Sequence, residues 1–288
     1  IADRVQVMRD GQTISDRDMA DVTRKLLIED MVGRTIDQEF PREAREPGPE
    51  KLRVEGLCQG KKVRDVSFRV CCGEVLGITG LVGSGRTEMA RILFGADHAQ
   101  RGRVFLDGKL IRCESPRQAI RQGICLLTED RKSQGLVLKH SVLENFALPT
   151  LNAFSRWNCI SSERERSKFK KHSENLKIRL ATPKQKAGTL SGGNQQKVVL
   201  AKWLEADSQV IIFDEPTRGI DVGAKYDMYL LINELARRGK AIVIISSELP
   251  EILGMSDRIL VMHEGRVTGE ITDVEHATQD QIMNLAIQ

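Results

Sequence analysis

The sequence predicts an α/β fold in which a mostly parallel β-sheet is covered by helices on both faces. Two observations predict it. Several strand-length segments are apolar throughout, such as Val210–Phe213 and Ala241–Ile245, which is typical of strands buried on both faces of a parallel sheet. These segments alternate along the chain with stretches of helical periodicity. With 288 residues, the chain is long enough for one large α/β domain or for two smaller domains.

The regular elements follow one another from about residue 51 onward. Two alternating strands come first, and a more continuous apolar strand follows them. Strands are predicted at Lys51–Leu57, Val63–Val70, Glu74–Thr79, Gly102–Ile111, Ile124–Thr128, Gln209–Asp214, Ala241–Ser246 and Arg258–His263. Helices are predicted at Arg86–Phe94, Pro116–Gln122, Ser161–Leu180, Gly193–Ala206, Val222–Arg238 and Pro250–Leu253.

The alternation is interrupted between about residues 131 and 206, where the pattern is almost entirely helical. Ser161 opens a highly charged segment in which only a few positions are apolar, namely Phe169, Leu176 and Ile178. A run of charge of this kind is usually a solvated face. The sequence therefore predicts a helical insertion that packs on the core.

The two ends of the chain resemble each other. Residues 1–11 (IADRVQVMRDG) align with residues 255–265 (MSDRILVMHEG), and the two share Asp-Arg, Val-Met and the closing Gly in one register. A short amphipathic segment follows each of them, at Thr23–Met31 and at Thr278–Ala286. One explanation is a chance likeness of strand and turn, and the other is a repeated module.

The second explanation predicts a domain organisation. Residues 1–35 are then the tail of an upstream copy of the module, and the chain begins inside a longer protein. Residues 36–50 contain three prolines and form an extended linker. The second module occupies residues 51–272, and residues 273–288 form a C-terminal helix.

Composition excludes several classes of protein. Lys and Arg number 44 against 40 Asp and Glu, and the net charge of +4 is spread along the chain, which is too weak to imply a nucleic-acid partner. No apolar run approaches the roughly 18 residues that cross a bilayer. The first residues lack a basic region followed by an apolar stretch, so we do not expect them to be a secretory signal. The six cysteines lack metal-like spacing, and we expect them to be reduced.

A glycine-rich loop, GLVGSGRT, spans Gly80–Thr87 between a predicted strand and a predicted helix. It fits the pattern G-x-x-x-x-G-K-[ST], except that Arg86 replaces the Lys. Glycines let backbone N–H groups point inward around phosphate oxygens, and the helix N-terminus adds positive potential. The pattern alone is weak evidence, but its place between strand and helix strengthens it. It predicts phosphate contacts from Gly80, Gly83, Ser84, Gly85 and Arg86, with Thr87 as a ligand of Mg²⁺.

A second motif, VIIFDEPT at Val210–Thr217, places two carboxylates at the end of an apolar strand. Carboxylates at the edge of a core must be paired or must bind a cation. We predict that Asp214 meets Mg²⁺ through water and that Glu215 orients and deprotonates an attacking water. The alternative is a solvent-exposed strand end that leads into a turn.

The third motif is LSGGNQQ, at Leu190–Gln196, which begins a predicted helix just upstream of the acidic strand. Here the sequence resembles the nucleotide-binding subunits of ATP-binding cassette (ABC) transporters, whose signature is LSGGQ. The resemblance implies an α/β P-loop NTPase core of ABC type, with a mostly parallel sheet, a small antiparallel β subdomain and a helical insertion. In that family the signature of one cassette closes over the γ-phosphate of ATP held by a second cassette. Ser191, Gly192 and Gly193 suit this role because a small, donor-rich helix N-terminus can approach an anion closely.

Longer segments indicate which group of ABC ATPases the chain resembles. GLVGSGRTE, TEDRKSQGLV, DEPTRGIDVGAK and ISSELPEILGMSDRI are similar to the second cassette of the tandem ATPases that energise bacterial uptake of simple sugars such as ribose, galactose, arabinose or xylose. The resemblance implies ATP and Mg²⁺ as cofactors, with nucleotide contacts from Asp221 and Ser247 and a Mg²⁺-sensing role for Glu129. It implies an upstream cassette in the same polypeptide, an integral membrane sugar permease and, indirectly, a periplasmic sugar-binding protein as partners. The ATPase would lie at the cytoplasmic face of the inner membrane.

Several groups of an active cassette are replaced in this chain. A planar guanidinium at Arg86 stands where a compact ammonium is expected. Ser247 stands at the position of the family's switch histidine and is followed by Glu248, so it cannot supply histidine chemistry to the γ-phosphate. Residues 56–62 offer no aromatic ring to stack on adenine. Glu215 and the signature are retained.

These departures predict an asymmetric pair of ATP sites. The upstream phosphate loop and the signature of this chain would form the hydrolytic site, whereas Gly80–Thr87 would form a slow or merely ATP-holding site. The alternative is a regulatory ATP-binding module without turnover of its own, which acts as a structural partner. A cassette protein that works on DNA or ribosomes is disfavoured by the modest charge.

Overall fold

The computed structural model describes residues 2–9, 11–33, 39–156 and 159–287. The strands are β1 (Arg4–Arg9), β2 (Gln12–Asp18), β3 (Glu50–Gln59), β4 (Val63–Cys71), β5 (Val75–Gly80), β6 (Arg101–Leu106), β7 (Lys109–Ile111), β8 (Ile124–Leu127), β9 (Ser155–Arg156), β10 (Cys159–Ile160), β11 (Val210–Asp214), β12 (Ala241–Ile245), β13 (Arg258–His263) and β14 (Arg266–Ile271). The helices are α1 (Arg24–Val32), α2 (Arg86–Leu93), α3 (Pro116–Gln122), α4 (Val142–Ala147), α5 (Leu151–Phe154), α6 (Ser162–Asn175), α7 (Gly192–Glu205), α8 (Val222–Arg237), α9 (Leu249–Met255) and α10 (Gln279–Ala286).

The central sheet has the strand order β14-β13-β5-β12-β11-β8. Five of its strands are parallel, and β14 pairs with β13 in the antiparallel sense. Every residue of β11 and β12 is buried, as their continuous apolar runs predict. The predicted mostly parallel sheet is confirmed. The carboxyl ends of β5, β11 and β12 meet at one edge of this sheet, and the predicted site residues follow these strands.

A second sheet is antiparallel and has the order β4-β3-β6-β7. The prediction of one strand over Gly102–Ile111 is wrong, because the chain reverses at Asp107 and Gly108. Their φ angles of 49° and 73° are both in the left-handed region. Leu106 pairs directly with Lys109 across this two-residue turn. The Asp-Gly dipeptide carries this signal, since hairpin turns of this kind need positive φ at both central residues.

The region between β8 and β11 is largely helical, as predicted, with α4 to α7 and a π-helical turn at Arg131–Gly135. The predicted helix Ser161–Leu180 is too long, since α6 ends at Asn175 and Lys177 takes a φ of 49°. Phe169 on α6 is buried, and its ring lies 5.4 Å from that of Phe146. The charged helix therefore packs on its neighbours through its few apolar residues.

The described chain contains one structural unit twice, a hairpin followed by a helix. It occurs as β1, β2 and α1 and again as β13, β14 and α10. Each hairpin has a shift of register, between Val7 and Met8 in the first and between Val261 and Met262 in the second. These two irregularities fall at aligned positions of the two similar segments.

The turns and helix starts of the two units also agree. The hairpins turn at Gly11 and Gly265, whose φ angles are 78° and 82°. The helices begin after Thr23 and Thr278, each of which accepts a hydrogen bond from a backbone N–H of the first turn. The likeness of the two ends thus extends from sequence to backbone irregularities and capping.

Residues 39–49, which we call the strap, contain neither helix nor strand and pack on α8 and α9. The Phe40 ring lies 5.4 Å from the Tyr229 ring. A Cβ atom on Gly254 would come within 2.3 Å of the Phe40 ring, so that α9 has no room for a side chain there. The strap has no helix, in agreement with its prolines, and residues 34–38 lie outside the described residues. The role of residues 36–50 as a linker stays a prediction.

An ion pair fixes the second half of the strap. Arg45 Nη1 lies 3.2 Å from Asp257, and the two side chains are 8% and 11% exposed. Asp257 also accepts a hydrogen bond of 2.8 Å from the backbone N–H of Val75, at the start of β5. The strap is therefore fastened to the central sheet.

Among the described residues, no helix has the length and apolar character needed to cross a membrane.

Candidate functional site

The glycine-rich loop connects β5 to α2 at the carboxyl edge of the central sheet. Gly80 has a φ of 152°, and a Cβ atom there would lie 2.0 Å from the carbonyl oxygen of Met262. Gly85 has a φ of 94°, and its Cβ would lie 2.1 Å from the carbonyl oxygen of Lys62. Only glycine fits both positions. Ser84 is buried, and its hydroxyl has no hydrogen-bond partner among the described residues.

Arg86 begins α2 and is only 8% exposed. Its Nη1 donates a hydrogen bond of 2.8 Å to the carbonyl oxygen of Ser246, at the end of β12. Burial lowers the pKa of this guanidinium, although the carboxylates of Glu215, Asp214 and Glu129 act in the opposite direction. The side chain thus spans the carboxyl ends of neighbouring strands.

Thr87 and Asp214 come together from α2 and β11, with Thr87 Oγ1 3.3 Å from Asp214 Oδ1. Asp214 is 1% exposed. Burial raises its pKa to about 6, and the nearby carboxylates of Glu215 and Glu129 add to this rise. A carboxyl in this position favours a nearby cation, which would hold it in its charged form.

Glu215 follows Asp214 and has a φ of 50°, in the left-handed region. Its backbone N–H donates to the carbonyl oxygen of Ile245 at 2.9 Å, and its Oε2 accepts a 3.1 Å hydrogen bond from the Ser247 hydroxyl. The two predicted residues are therefore in direct contact. Non-glycine residues with positive φ are uncommon and often occur at functional positions.

Glu129 lies in the loop after β8 and pairs with Arg218 in the loop after β11. It is also close enough to affect the pKa values of Arg86 and Asp214. The structure thus gathers Arg86, Thr87, Asp214, Glu215, Ser247 and Glu129 at one edge of the sheet.

The signature residues form a separate group. Ser191 is exposed and precedes α7, and Gly192 and Gly193 are its first residues. Asn194 Nδ2 donates to the Ser191 hydroxyl at 3.0 Å. Within the described ranges, no hydrogen bond joins this group to the phosphate loop. Asp221 directly precedes α8 and caps it. Its carboxylate accepts a 2.9 Å hydrogen bond from the backbone N–H of Ala224.

Three further side chains contact these segments, and sequence reasoning missed them. The Arg131 guanidinium donates to the carbonyl oxygens of Arg218 and Gly219 at 3.3 and 3.5 Å. Lys202, on α7, is 7% exposed and donates to the carbonyl oxygen of Gly135. The third is Glu251, on α9, whose carboxylate accepts a hydrogen bond from Thr217. Ordinary charged residues on helical or loop patterns give no sign in the sequence that they point inward.

Glu251, on α9, lies beneath the loops that follow β11 and β12. It is 1% exposed, and its Oε1 accepts a 2.9 Å hydrogen bond from the hydroxyl of buried Thr217. Its Oε2 has no geometrically suitable partner among the described residues. Burial raises the pKa of Glu251, while hydroxyls of Ser246, Thr217 and Tyr229 oppose this rise. This carboxyl therefore supports the segment that carries Glu215.

The residues present suit a nucleotide phosphate with a divalent cation. Gly80 and Gly85 let the loop pack directly against the carbonyl oxygens of Met262 and Lys62, and the buried Ser84 hydroxyl within this loop lacks a partner among the described residues. Thr87 and Asp214 offer the hard oxygen ligands that Mg²⁺ prefers. In the part of the chain that the structure describes, no group of three or more His, Cys, Asp or Glu side chains is arranged to hold a metal ion.

Comparisons with known proteins agree with this arrangement. The profile of the ABC transporter family matches residues 63–218. The chain is 49% identical over 286 residues to a ribose import ATP-binding protein of Lacticaseibacillus paracasei, with 99% of this chain and 57% of that protein covered. It is 48% identical over 293 residues to a xylose import ATP-binding protein of Geobacillus kaustophilus, covering 99% of this chain and 58% of that protein. The chain spans a little over half the length of these relatives.

A solved structure shares the fold. It is an ATP-binding cassette of an ABC transporter in its ADP conformation, with a TM-score of 0.69 and 27% identity over 83% of this chain and 98% of that chain. A nucleotide-free cassette aligns with a TM-score of 0.68 and 27% identity, covering 83% of this chain and 96% of the other. The α/β P-loop fold of ABC type is thereby confirmed. The chain belongs to the ABC transporter family, as an ATPase domain closely related to sugar import ATP-binding proteins.

Proposed function

We propose that this chain is the second cassette of a tandem ATPase that energises the import of simple sugars. The relatives' names, ribose and xylose import ATP-binding proteins, support the substrate class. Their length leaves room for another cassette, since this chain covers 57% and 58% of them. Residues 51–272 would form the cassette, with a helical subdomain at about 131–206, and residues 273–288 its C-terminal helix.

The repeated hairpin and helix support an upstream cassette that ends within residues 1–35. Met262 is 1% exposed and lies opposite Gly80 in the register of β13 and β5. Its counterpart in the first unit, Met8, is 61% exposed. An upstream cassette would cover Met8 if β1 paired with the strand before its phosphate loop, as β13 pairs with β5 here. Residues 36–50, including the strap, then connect the two cassettes.

The remaining partners follow from the same proposal. An integral membrane sugar permease would take up the conformational change, and a periplasmic sugar-binding protein would deliver the sugar. The ATPase would lie at the cytoplasmic face of the inner membrane. The net charge of +4 gives no support to a nucleic-acid partner.

In this proposal the signature carries the main contribution of the chain. The observation that supports it most strongly is the exposed Ser191 at the start of α7, with no hydrogen bond in the described ranges to the phosphate loop of its own chain. Ser191, Gly192 and Gly193 would then bind the γ-phosphate of ATP held by the upstream loop. A helix N-terminus with small residues suits this contact because its N–H groups are free to point at an anion.

The site on the phosphate loop of this chain would hold ATP with Gly80, Gly83, Ser84, Gly85 and Arg86, and Mg²⁺ with Thr87, Asp214 and Glu129. Members of the family bind ATP, and Mg²⁺ supplies charge stabilisation for the transferred phosphoryl group. Glu215 would orient a water, and Ser247 would hold the Glu215 carboxylate in place. Asp221 would contact the nucleotide only in addition to its capping of α8.

The geometry of Arg86 supports slow turnover at this second site. Its guanidinium already donates to the Ser246 carbonyl, so it is not free to follow the phosphates. Ser247 supplies one neutral hydroxyl in place of an imidazole. The same observations favour the alternative of a regulatory ATP-binding module without turnover of its own.

Scrambling Leu190–Gln196 in the transporter separates the two functions. If the chain is half of a motor, sugar transport and ATP turnover should both stop. If it is a structural partner, transport should continue at the same rate. Co-purification with a membrane permease tests the transport assignment itself, and its failure under conditions that preserve the tandem would contradict that assignment.

A further inference from the structure

The π-helical turn Arg131–Gly135, which we call the brace, lies along the signature helix α7 and contacts it near both ends. At the N-terminal end, a Cβ atom on Gly192 would lie only 2.7 Å from Arg131 Nη2. At the other end, Lys202 Nζ donates a hydrogen bond to the carbonyl oxygen of Gly135. Between them, a Cβ on Gly135 would lie 3.2 Å from Val199 Cγ2.

The brace is itself held in one conformation. The Asp130 carboxylate accepts hydrogen bonds from the N–H groups of Lys132 and Ser133, both at 3.2 Å, and from the Ser133 hydroxyl at 2.5 Å. Single π-helical turns are rare and often occur at functional positions. Because these hydrogen bonds leave the brace few alternative conformations, it can hold the elements that contact it in fixed positions.

Arg131 joins three segments. It lies against Gly192 and donates to the backbone of Arg218 and Gly219, in the loop after the acidic strand. Its Nε is buried without a partner, and no ion pair of the described residues includes Arg131. Glu129, just before the brace, pairs with the Arg218 side chain. The signature and the acidic loop are thus tied to one short stretch of chain.

Lys202, near the C-terminal end of α7, is a buried cation. Its ammonium is buried, with one carbonyl acceptor and the Trp203 ring at 4.7 Å. Burying a cation without a carboxylate partner is unfavourable. Burial accordingly lowers the pKa of Lys202 to about 8. An apolar residue would serve packing better, so the contact with Gly135 is the feature that distinguishes lysine here.

We propose that Arg131 and Lys202 are positioning residues, which fix α7 to the brace at two points and thereby set the orientation of Ser191–Gly193. This inference rests on the proposed function, in which the signature completes the hydrolytic site on the upstream phosphate loop.

The test uses the tandem protein with Arg131→Met and, separately, Lys202→Met. Both variants keep a long apolar stem and remove the donors. We expect kcat for ATP to fall about tenfold or more while KM changes less than about threefold. Amide hydrogen exchange in Gly192–Gln195 should become at least about fivefold faster, while exchange in α8 is unchanged. Lys132→Met, on the exposed side of the same turn, should leave both measurements at wild-type values.

A Ser191→Trp variant separates failure of this inference from failure of the proposed function. If Ser191→Trp abolishes turnover while both brace variants keep kcat and exchange at wild-type values, the brace does not position the signature and the inference is overturned. If Ser191→Trp leaves turnover intact, the proposed function fails, and the exchange measurement still decides whether the brace holds α7. A rise in KM without a loss of kcat in the brace variants would also overturn the inference.

Discussion

Arg86 Nη1 donates a 2.8 Å hydrogen bond to the carbonyl oxygen of Ser246. The same oxygen accepts a 3.0 Å hydrogen bond from the Thr79 hydroxyl, so β5, α2 and β12 meet at this atom. The guanidinium therefore has a structural partner at the position where the phosphate-loop pattern expects a mobile ammonium. A residue that supports the sheet edge is less available to bind phosphate oxygens.

Arg86→Lys should increase the affinity of the phosphate loop for nucleotide. A lysine ammonium is compact and can turn toward the phosphates, whereas the planar guanidinium stays against Ser246. We expect the affinity of the phosphate loop for Mg-ATP to rise about tenfold, which is about 1.4 kcal/mol. Titration with a fluorescent ATP analogue measures this, with Arg117→Lys at an exposed position as control. Weaker binding by Arg86→Lys than by the wild type would contradict the account of Arg86.

Glu251 should contribute to stability through its hydrogen bond with Thr217. Glu251→Leu removes the acceptor to which the buried Thr217 hydroxyl donates, and we expect a loss of about 1–3 kcal/mol in the free energy of unfolding. Glu251→Gln keeps an acceptor oxygen for Thr217 and should lose less than about 1 kcal/mol. Urea unfolding of both variants provides the comparison. Equal losses would show that the charge, and not the acceptor, is what the site requires.

Lys202 should make stability depend on pH in the alkaline range. Its pKa is about 8 in the folded chain, against 10.5 for an ordinary lysine. Between these values the unfolded chain binds the proton and the folded chain does not, so the free energy of unfolding rises with pH. Relative to Lys202→Met, the wild type should gain about 3 kcal/mol in total over this window. Urea unfolding at several pH values checks this, and parallel curves for the two proteins would refute it.

Phe40 should anchor the strap. Phe40→Ala removes the ring that packs on Tyr229 and fills the space beside Gly254. We expect a loss of about 1–3 kcal/mol, below the cost for a fully buried ring because Phe40 is half-buried. Limited proteolysis should then cut within 39–49, whereas the exposed substitution Glu46→Ala should leave the strap resistant. An uncut strap in Phe40→Ala would show that the Arg45–Asp257 pair suffices.

The central sheet could be predicted because the hydrophobic pattern of each strand is visible within a few consecutive residues. Strands such as β11 and β12 are apolar throughout, and their buried state follows directly from that pattern. The errors occurred where a backbone turn decides the outcome, at Asp107–Gly108 and at Lys177, each with positive φ. Turn geometry of this kind changes the length of an element without changing its hydrophobic pattern.

The part of the candidate site that lies within the sequence motifs could be predicted. Arg86, Asp214 and Glu215 lie at one sheet edge because β5 and β11 are parallel strands on either side of β12, and all three residues lie at or after the carboxyl ends of β5 and β11. Lys202 and Glu251 could not be found, since nothing in the sequence distinguishes a buried lysine or glutamate from an exposed one on the same helix. Their importance depends on tertiary contacts alone, with Gly135 and Thr217 respectively.

The central claim is that one ATP site hydrolyses the nucleotide and the other only holds it. ATP turnover of the tandem protein with two single variants, Ser191→Trp and Arg86→Ala, tests this claim most directly. The bulky residue should block the signature, and turnover should fall by about a hundredfold or more. Arg86→Ala should leave turnover within about threefold of the wild type, because the phosphate loop that it alters holds ATP without setting the rate. The opposite pattern, with Arg86→Ala abolishing turnover and Ser191→Trp leaving it unchanged, would contradict the account.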